Sequence, residues 1–312
     1  MSSSWPIVFM GTPEIAAVTL QMLLDGSDRI VGVVTQPDRP TGRGQQSRPS
    51  PVRRIAESRG ISVMTPVKIR DSDFLDALRS WKPQIIVVVA FGRILPKSVL
   101  ELSPRGCLNV HYSLLPKYRG AAPVTWTIIN GEEKGGVTTM QLVEQLDAGP
   151  IYLQEEIKLD QHETTGSLQA RLAPVGGQLL LNTIGGLKNN SLQPRYQEES
   201  CATFAPVIKK EDGLVDWTQS AVTIERRIRA FTPWPSAYTY LHGKLLKIHR
   251  ATPIQTNRSG TPGEIVRADS GGFWIATGNG TLSLEEVQLE NKKRIASVEF
   301  IKGARIAAGD QL

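Results

Sequence analysis

Cysteine is almost missing from this chain. Cys107 and Cys201 are the two among 312 residues, which excludes a disulfide framework and leaves no metal-ligand spacing, so no metal is expected. Cys107, next to an apolar run, is expected to pack as a small hydrophobe. No apolar run approaches membrane-spanning length. Met1 to Trp5 lacks a charged region and Ile7 to Met10 is too short for a signal peptide, so a cytoplasmic, reduced setting is the expectation. Glycine is scarce where a dinucleotide fold needs it: Gly11-Thr12-Pro13 offers one glycine in place of G-x-G-x-x-G, which argues against a nicotinamide cofactor. A nucleophile turn is lacking too, because Ser113 runs into Leu114, Leu115 and Pro116. There is no internal repeat and no low-complexity tract.

What is present is an alternation of apolar runs and helical patterns over the first two hundred residues. That alternation predicts an α/β fold, a doubly wound, mostly parallel sheet covered by helices. Ile7–Met10, Ile30–Thr35, Ile85–Ala90, Leu108–His111, Gly136–Leu142 and Ile151–Leu159 read as strands. A helix starts near Pro13, with Thr12 as its cap and Pro13 in its first position, and another runs from Thr165 to Leu187. The all-apolar run Ile85–Ala90 suits a central strand buried on both faces. From Asn189 to Val207 the pattern turns polar, with Pro194 and Pro206, and reads as a linker. Beyond it come a short helix over Ala221–Ala230 and short strands parted by turn signals at His242-Gly243, Asp269–Gly272 and Asn279-Gly280. That spacing predicts a small β-barrel. Trp234 and Trp274 have the shape to stack on bases, although tryptophans among barrel strands more often belong to the core.

The most informative residues are Asn109 and His111, with Asp147 further along. Side chains two apart on a strand point the same way. Asn109 can donate an amide N–H, His111 can donate or accept a proton, and Asp147 can hold the imidazole in its useful state. A cationic and a neutral donor side by side suit the oxyanion of a carbonyl turning tetrahedral, and without a nucleophile the trio suggests direct acyl transfer between two bound substrates. Each member also has a plain structural reading: Asn-x-His as a hydrogen-bonded pair, Asp147-Ala148-Gly149-Pro150 as a turn. Against it stand the scarcity of histidine, four in the chain, and the Ser113–Pro123 segment, whose prolines, glycine and cations after an apolar strand suit a ligand loop.

NVHYSLLPKYRGAAP from Asn109 and GVTTMQLVEQLDAGPI from Gly136 resemble the core of the folate-dependent formyltransferases. So do VFMGTPE from Val8, TQPDRPTGRG from Thr35, VVVAFGRILP from Val87 and IRAFTPWPSA from Ile228, and together they cover nearly the whole chain in order. The resemblance implies a formyltransferase catalytic domain over 1–190, a linker over 191–206 and an OB-like, tRNA-binding barrel over 207–312. It also implies transfer of formyl from 10-formyltetrahydrofolate, as co-substrate, to the α-amino group of methionyl initiator tRNA. Asn109, His111 and Asp147 would carry the chemistry. Phe91, Gly92, Arg93, Ile94 and Leu95, with Ser113, Leu114, Leu115 and Pro116, would contact the folate; Arg39, Arg43 and Arg48 would contact the tRNA. Tyr112 departs from the glycine the family often has, and its ring is expected to point away from the Asn109/His111 face. A monomer is the expectation.

Charge fits an RNA partner. Residues 207–312 carry 15 Lys/Arg against 11 Asp/Glu, while Gln36–Arg54 alone carries five arginines against Asp38. A Pro/Gly-punctuated loop with spread arginines suits phosphate, or is simply a solvated surface. Two rivals are a formyltransferase for a nucleotide-linked amino sugar, which would not need that loop, and a non-catalytic nucleic-acid-binding protein, which leaves the trio unexplained.

Overall fold

The computed structural model describes residues 4–41, 46–256 and 260–312. They form two compact units, the first holding Met1–Pro123, Lys134–Lys158 and Gln169–Pro206, the second Val124–Glu133, Leu159–Leu168 and Val207–Leu312. Along the chain run β1 (Pro6–Gly11), α1 (Glu14–Leu24), β2 (Arg29–Val34), β3 (Arg39–Thr41), β4 (Gln46–Arg48), α2 (Pro51–Ser58) and β5 (Val63–Met64). Then come α3 (Ser72–Ser80), β6 (Ile85–Val89), α4 (Lys97–Leu100), β7 (Cys107–His111), β8 (Arg119–Gly120), α5 (Pro123–Ile129), β9 (Lys134–Gln141), β10 (Ile151–Lys158), α6 (Thr165–Lys188) and β11 (Phe204–Ala205).

Among the described residues the main sheet has seven strands in the order β10-β9-β7-β6-β1-β2-β5. β5, β2, β1, β6 and β7 are parallel, while β9 runs antiparallel to both β7 and β10. The sheet is the expected mostly parallel one. β6 and β7 are buried at every position, because helices cover both faces of a parallel sheet. On one face Val8, Met10, Ile86 and Val88 pack with Phe74 and Leu78 of α3 and Val99 and Leu100 of α4. The chain steps from β1 out to β2 and β5, then returns to β6 on the other side of β1. Such a reversal opens a crevice at the carboxyl ends of the strands, where doubly wound sheets bind ligands.

Two local expectations differ. Helix α1 begins at Glu14, with Pro13 in the N-cap position and no side-chain cap. The Thr12 hydroxyl is used elsewhere: it accepts from Gln36 N–H at 3.3 Å and donates to the Phe91 carbonyl at 3.4 Å, which ties together the carboxyl ends of β1, β2 and β6. The stretch 191–206, expected as a linker, is part of the first unit. Arg195 bonds Ile151 through both backbone groups, and β11 pairs in parallel with β8.

In the second unit α7 (Ala221–Ala230) is followed by β12 (Ala237–Leu241), β13 (Lys244–Ile254), β14 (Ile265–Asp269), β15 (Gly272–Ala276), β16 (Thr281–Leu289), β17 (Ile295–Ala296) and α8 (Ser297–Gly303). The strands are antiparallel in the order β12-β13-β16-β15-β14, with β17 on β16. This is the partly open arrangement an OB-like barrel allows. One core, built on Ile224 and Ile228 of α7, Leu246, Phe273, Leu284 and Phe300, holds it together. The three turns read from the sequence fall between strands.

Candidate active site

β7 has two chemically different faces. Val110 and Tyr112 point to one side, where Gly176 of α6 leaves room: a Cβ there would lie 3.1 Å from Val110 Cγ1 and 3.0 Å from Tyr112 Cε1. The Tyr112 hydroxyl meets Thr19 Oγ1 of α1 at 3.3 Å, and burial pushes its pKa up, opposed by that hydrogen bond. The ring therefore packs behind the site, as expected for the departure at this position. Cys107 is buried as well, and burial pushes its thiol up to about 12.

Asn109 and His111 occupy the other face, 8% and 6% exposed. Nothing among the described residues hydrogen-bonds the Asn109 carboxamide. His111 Nε2 lies 2.9 Å from the Tyr118 carbonyl, and Nδ1 lies 3.8 Å from Asp147 Oδ2. A carbonyl only accepts, so Nε2 carries a proton and Nδ1 is the nitrogen turned to the carboxylate. Asp147 comes from the loop between β9 and β10 and has φ +47, a left-handed conformation that Asp tolerates better than most residues. Its Oδ2 accepts the Gly120 N–H at 2.8 Å. Gly149, two residues on, must be glycine, because a Cβ would overlap the Gln141 carbonyl. The Asp-Ala-Gly-Pro motif is thus a turn that also brings a carboxylate to His111.

Two loops leave the carboxyl ends of the neighbouring strands β6 and β7. In the first, Phe91 and Leu95 are buried in the core, Gly92 is exposed at φ +77, and Ile94 is 80% exposed. Arg93 donates to the Pro66 and Val67 carbonyls at 3.1 and 2.8 Å, so its guanidinium braces the adjacent loop. In the second, Ser113 Oγ donates to Lys117 O at 2.6 Å, Leu115 packs on Met140 and Ile151, and Leu114 and Pro116 are half-buried. The side chains of Phe91, Leu95, Ser113 and Leu115 are committed to the protein itself. Gly92 and Ile94 are exposed and Pro116 is half-buried, while the Leu114 side chain lies over Gly136.

Arg39 and Arg48 stand opposite each other where β3 pairs with β4, and Arg48 is exposed. Arg43 lies outside the described residues. The base of this pair is tied by Asp38 Oδ2 to Arg53 at 2.7 Å and by Thr35 Oγ1 to Ser50 Oγ at 2.8 Å. Neither Trp234 nor Trp274 is core: Trp234 is 58% exposed, and Trp274 is half-buried with the Arg267 guanidinium 4.6 Å over its ring, whereas Trp217 is buried in the core of the second unit.

Arg119, read as one of two cations of a ligand loop, is 3% exposed and points inward. It makes a two-pronged pair with Glu199 at 2.8 and 2.9 Å and donates through Nε to Gln197 at 3.0 Å. That hydrogen-bonded guanidinium holds the Glu199 carboxyl below its usual value. The sequence reading missed Gln197 and Thr138. Thr138 Oγ1 donates to Ser113 O and accepts from Leu115 N–H and Gln154 Nε2, which fixes the loop after β7. Its signal was available, since Thr138 pairs with His111 across β7 and β9.

Residues 6–184 match the formyl transferase family, and residues 207–305 match its C-terminal domain. The chain is 47% identical over 306 residues to a methionyl-tRNA formyltransferase of Geotalea uraniireducens, covering 98% of this chain and 97% of that one. A methionyl-tRNA formyltransferase of Magnetococcus marinus is 44% identical over 310 residues, with 99% of each chain covered. An N-formyltransferase from Helicobacter canadensis, solved with folinic acid and dTDP-3-aminofucose, superposes with a TM-score of 0.67 at 21% identity, covering 90% of this chain and 98% of that one. HypX from Aquifex aeolicus, solved with tetrahydrofolic acid, gives 0.62 at 18% identity over 96% of this chain and 47% of its own, so this chain spans about half of it. At these identities the structural likeness is one of fold.

Proposed function

Because the chain belongs to the formyl transferase family in both its N-terminal and C-terminal domains, we propose that it formylates the methionine carried by initiator tRNA, with 10-formyltetrahydrofolate as donor. The observation that carries the chemistry is the uncommitted Asn109 carboxamide beside a His111 whose Nδ1 faces Asp147.

The neutral α-amine attacks the formyl carbon, a C–N bond forms, and the carbonyl electron pair moves onto oxygen. Asn109 donates an amide N–H to that oxygen. His111 donates Nε2–H; its present acceptor, the Tyr118 carbonyl, is neutral, and an alkoxide is the stronger partner for a charged donor. Asp147 opposes the imidazolium charge from the Nδ1 side and gives the proton leaving the attacking nitrogen an anionic path. The tetrahedral centre collapses as the bond to the folate nitrogen breaks and that nitrogen takes up a proton. The products are formyl-methionyl-tRNA and tetrahydrofolate.

The loops after β6 and β7 are the proposed folate cradle, with the more open positions Gly92, Ile94 and Pro116 facing the ligand, Leu114 presenting the edge it does not pack on Gly136, and Phe91, Arg93, Leu95, Ser113 and Leu115 holding their shape. Arg39, Arg43 and Arg48 are assigned to the acceptor arm of the tRNA. The domain over 207–312, with its excess of Lys/Arg, is assigned to the tRNA backbone, which rewards clustered cations. The catalytic part then takes in 1–190 together with the 191–206 stretch that packs with it, and the cell compartment is the cytoplasm, where charged tRNA is found. A sugar acceptor has no specific support beyond the shared fold. The test is to mix the protein with formyl-donor folate and either methionyl initiator tRNA or an amino-sugar nucleotide and follow the folate absorbance. Turnover is expected with the tRNA; turnover with the sugar nucleotide alone would overturn the reading.

A further inference from the structure

Gln197 lies in the stretch after α6 that reads as a linker, yet its carboxamide reaches the loop that carries Asp147. Nε2 donates to the Asp147 carbonyl at 2.8 Å and to the Gly149 carbonyl at 2.8 Å. Oε1 accepts from Arg119 Nε at 3.0 Å. Carbonyls only accept and a guanidinium only donates, so this orientation of the amide is the one that satisfies all three partners. We propose that Gln197 is a positioning residue of the transfer reaction, holding Asp147 against His111 by fixing the left-handed turn from which the carboxylate projects. The proposal rests on the assignment of Asp147 and His111 to the chemistry.

The connections close a ring. His111 bonds the Tyr118 carbonyl; the next residue, Arg119, bonds Gln197; Gln197 bonds Asp147; and Asp147 faces His111. Gly120, on the other side of Arg119, donates its N–H to the Asp147 carboxylate. One short segment, 118–120, therefore sets both the acceptor of the imidazole and the donor to its carboxylate. Gln197 is a second side chain, beside Asp147 itself, that bridges this segment to the β9–β10 loop. Arg119 is in turn locked by Glu199 and by backbone pairing of Arg119 N–H to the Thr203 carbonyl. Asp147 has a positive φ, so the loop needs an outside hold to keep it there, and two hydrogen bonds from one amide to carbonyls on either side of Ala148 supply it. Without that hold the carboxylate drifts from Nδ1, and small misplacements at a reacting centre are costly.

The experiment uses the full chain with Gln197→Glu and Gln197→Met, alone and combined with Asp147→Asn. The Glu variant keeps the acceptor for Arg119 and loses both donors; the Met variant has similar length and no charge. The expected result is a kcat lower by roughly 10- to 100-fold in both, with KM for folate and for tRNA within about twofold and folding preserved in the Met variant. In the Asp147→Asn background neither substitution should reduce kcat further, because Gln197 acts through Asp147. A folded Gln197→Met with wild-type kcat, or a loss that adds fully to that of Asp147→Asn, overturns the proposal while leaving the catalytic trio intact. A silent Asp147→Asn overturns the trio itself.

Discussion

Replacing Asn109 by alanine separates chemistry from stability more cleanly than any other change at the site. The carboxamide is 8% exposed and hydrogen-bonds to nothing among the described residues, so its removal orphans no partner. The folding cost is then limited to a small change in packing on one face of β7, within about 1 kcal/mol, the range of substitutions that break no named interaction. The transition state loses more. One preorganised donor to an oxyanion is worth about 2.7–4 kcal/mol, or roughly 100- to 1000-fold in kcat. His111→Ala is less clean, since it also leaves the Tyr118 carbonyl without the ring. Single-turnover formylation at saturating folate and tRNA reads the chemical step, and a thermal melt reads folding. A kcat within about threefold of wild type would refute the assignment of Asn109 to the oxyanion. A collapse of the melt would show that the side chain has a structural partner after all.

Gly176→Ala places a methyl group 3.0 Å from Tyr112 Cε1. Overpacking of about 1–3 kcal/mol outweighs the roughly 1 kcal/mol gain in helix propensity, so a melt should show a lower Tm. Arg43→Ala should lower catalytic efficiency on charged tRNA by roughly tenfold or more while leaving folate affinity unchanged, as measured by steady-state kinetics and folate titration. His249 has its pKa lowered, chiefly by burial and further by Arg294 and Lys247, against the Gln288 hydrogen bond and Glu286. A depressed histidine contributes stability above its unfolded value of 6.5 and loses it as pH falls through the folded value. Urea midpoints should therefore drop on acidification below about pH 6.5, and His249→Gln should flatten that dependence.

Much of this was legible in the sequence because the signals were local. Period and burial gave the sheet: β6 is an unbroken apolar run, and α7 begins and ends at the residues read for it. Asn109 and His111 were readable as a pair because two-residue spacing on a strand needs no tertiary knowledge. Thr12 was misread because its hydroxyl is taken by backbone just beyond the ends of two other strands, at Gln36 and, about 80 residues away, at Phe91, which competes with capping. Arg119 and Gln197 were invisible for the same reason. A cation in a loop and an amide in a polar stretch look solvated until folding brings residues 119, 147 and 197 together. The run from Asn189 to Val207 has the composition of a spacer, and its ordering comes from partners in the first unit rather than from its own pattern.

On the proposed reading the formyl group ends on the methionine of initiator tRNA. That outcome is tested most directly by incubating the protein with formyl-donor folate and methionyl initiator tRNA, releasing the amino acid with base and weighing it by mass spectrometry. Formyl-methionine is expected with the wild-type protein and almost none with His111→Ala. Recovery of unmodified methionine while the folate donor is consumed would contradict it.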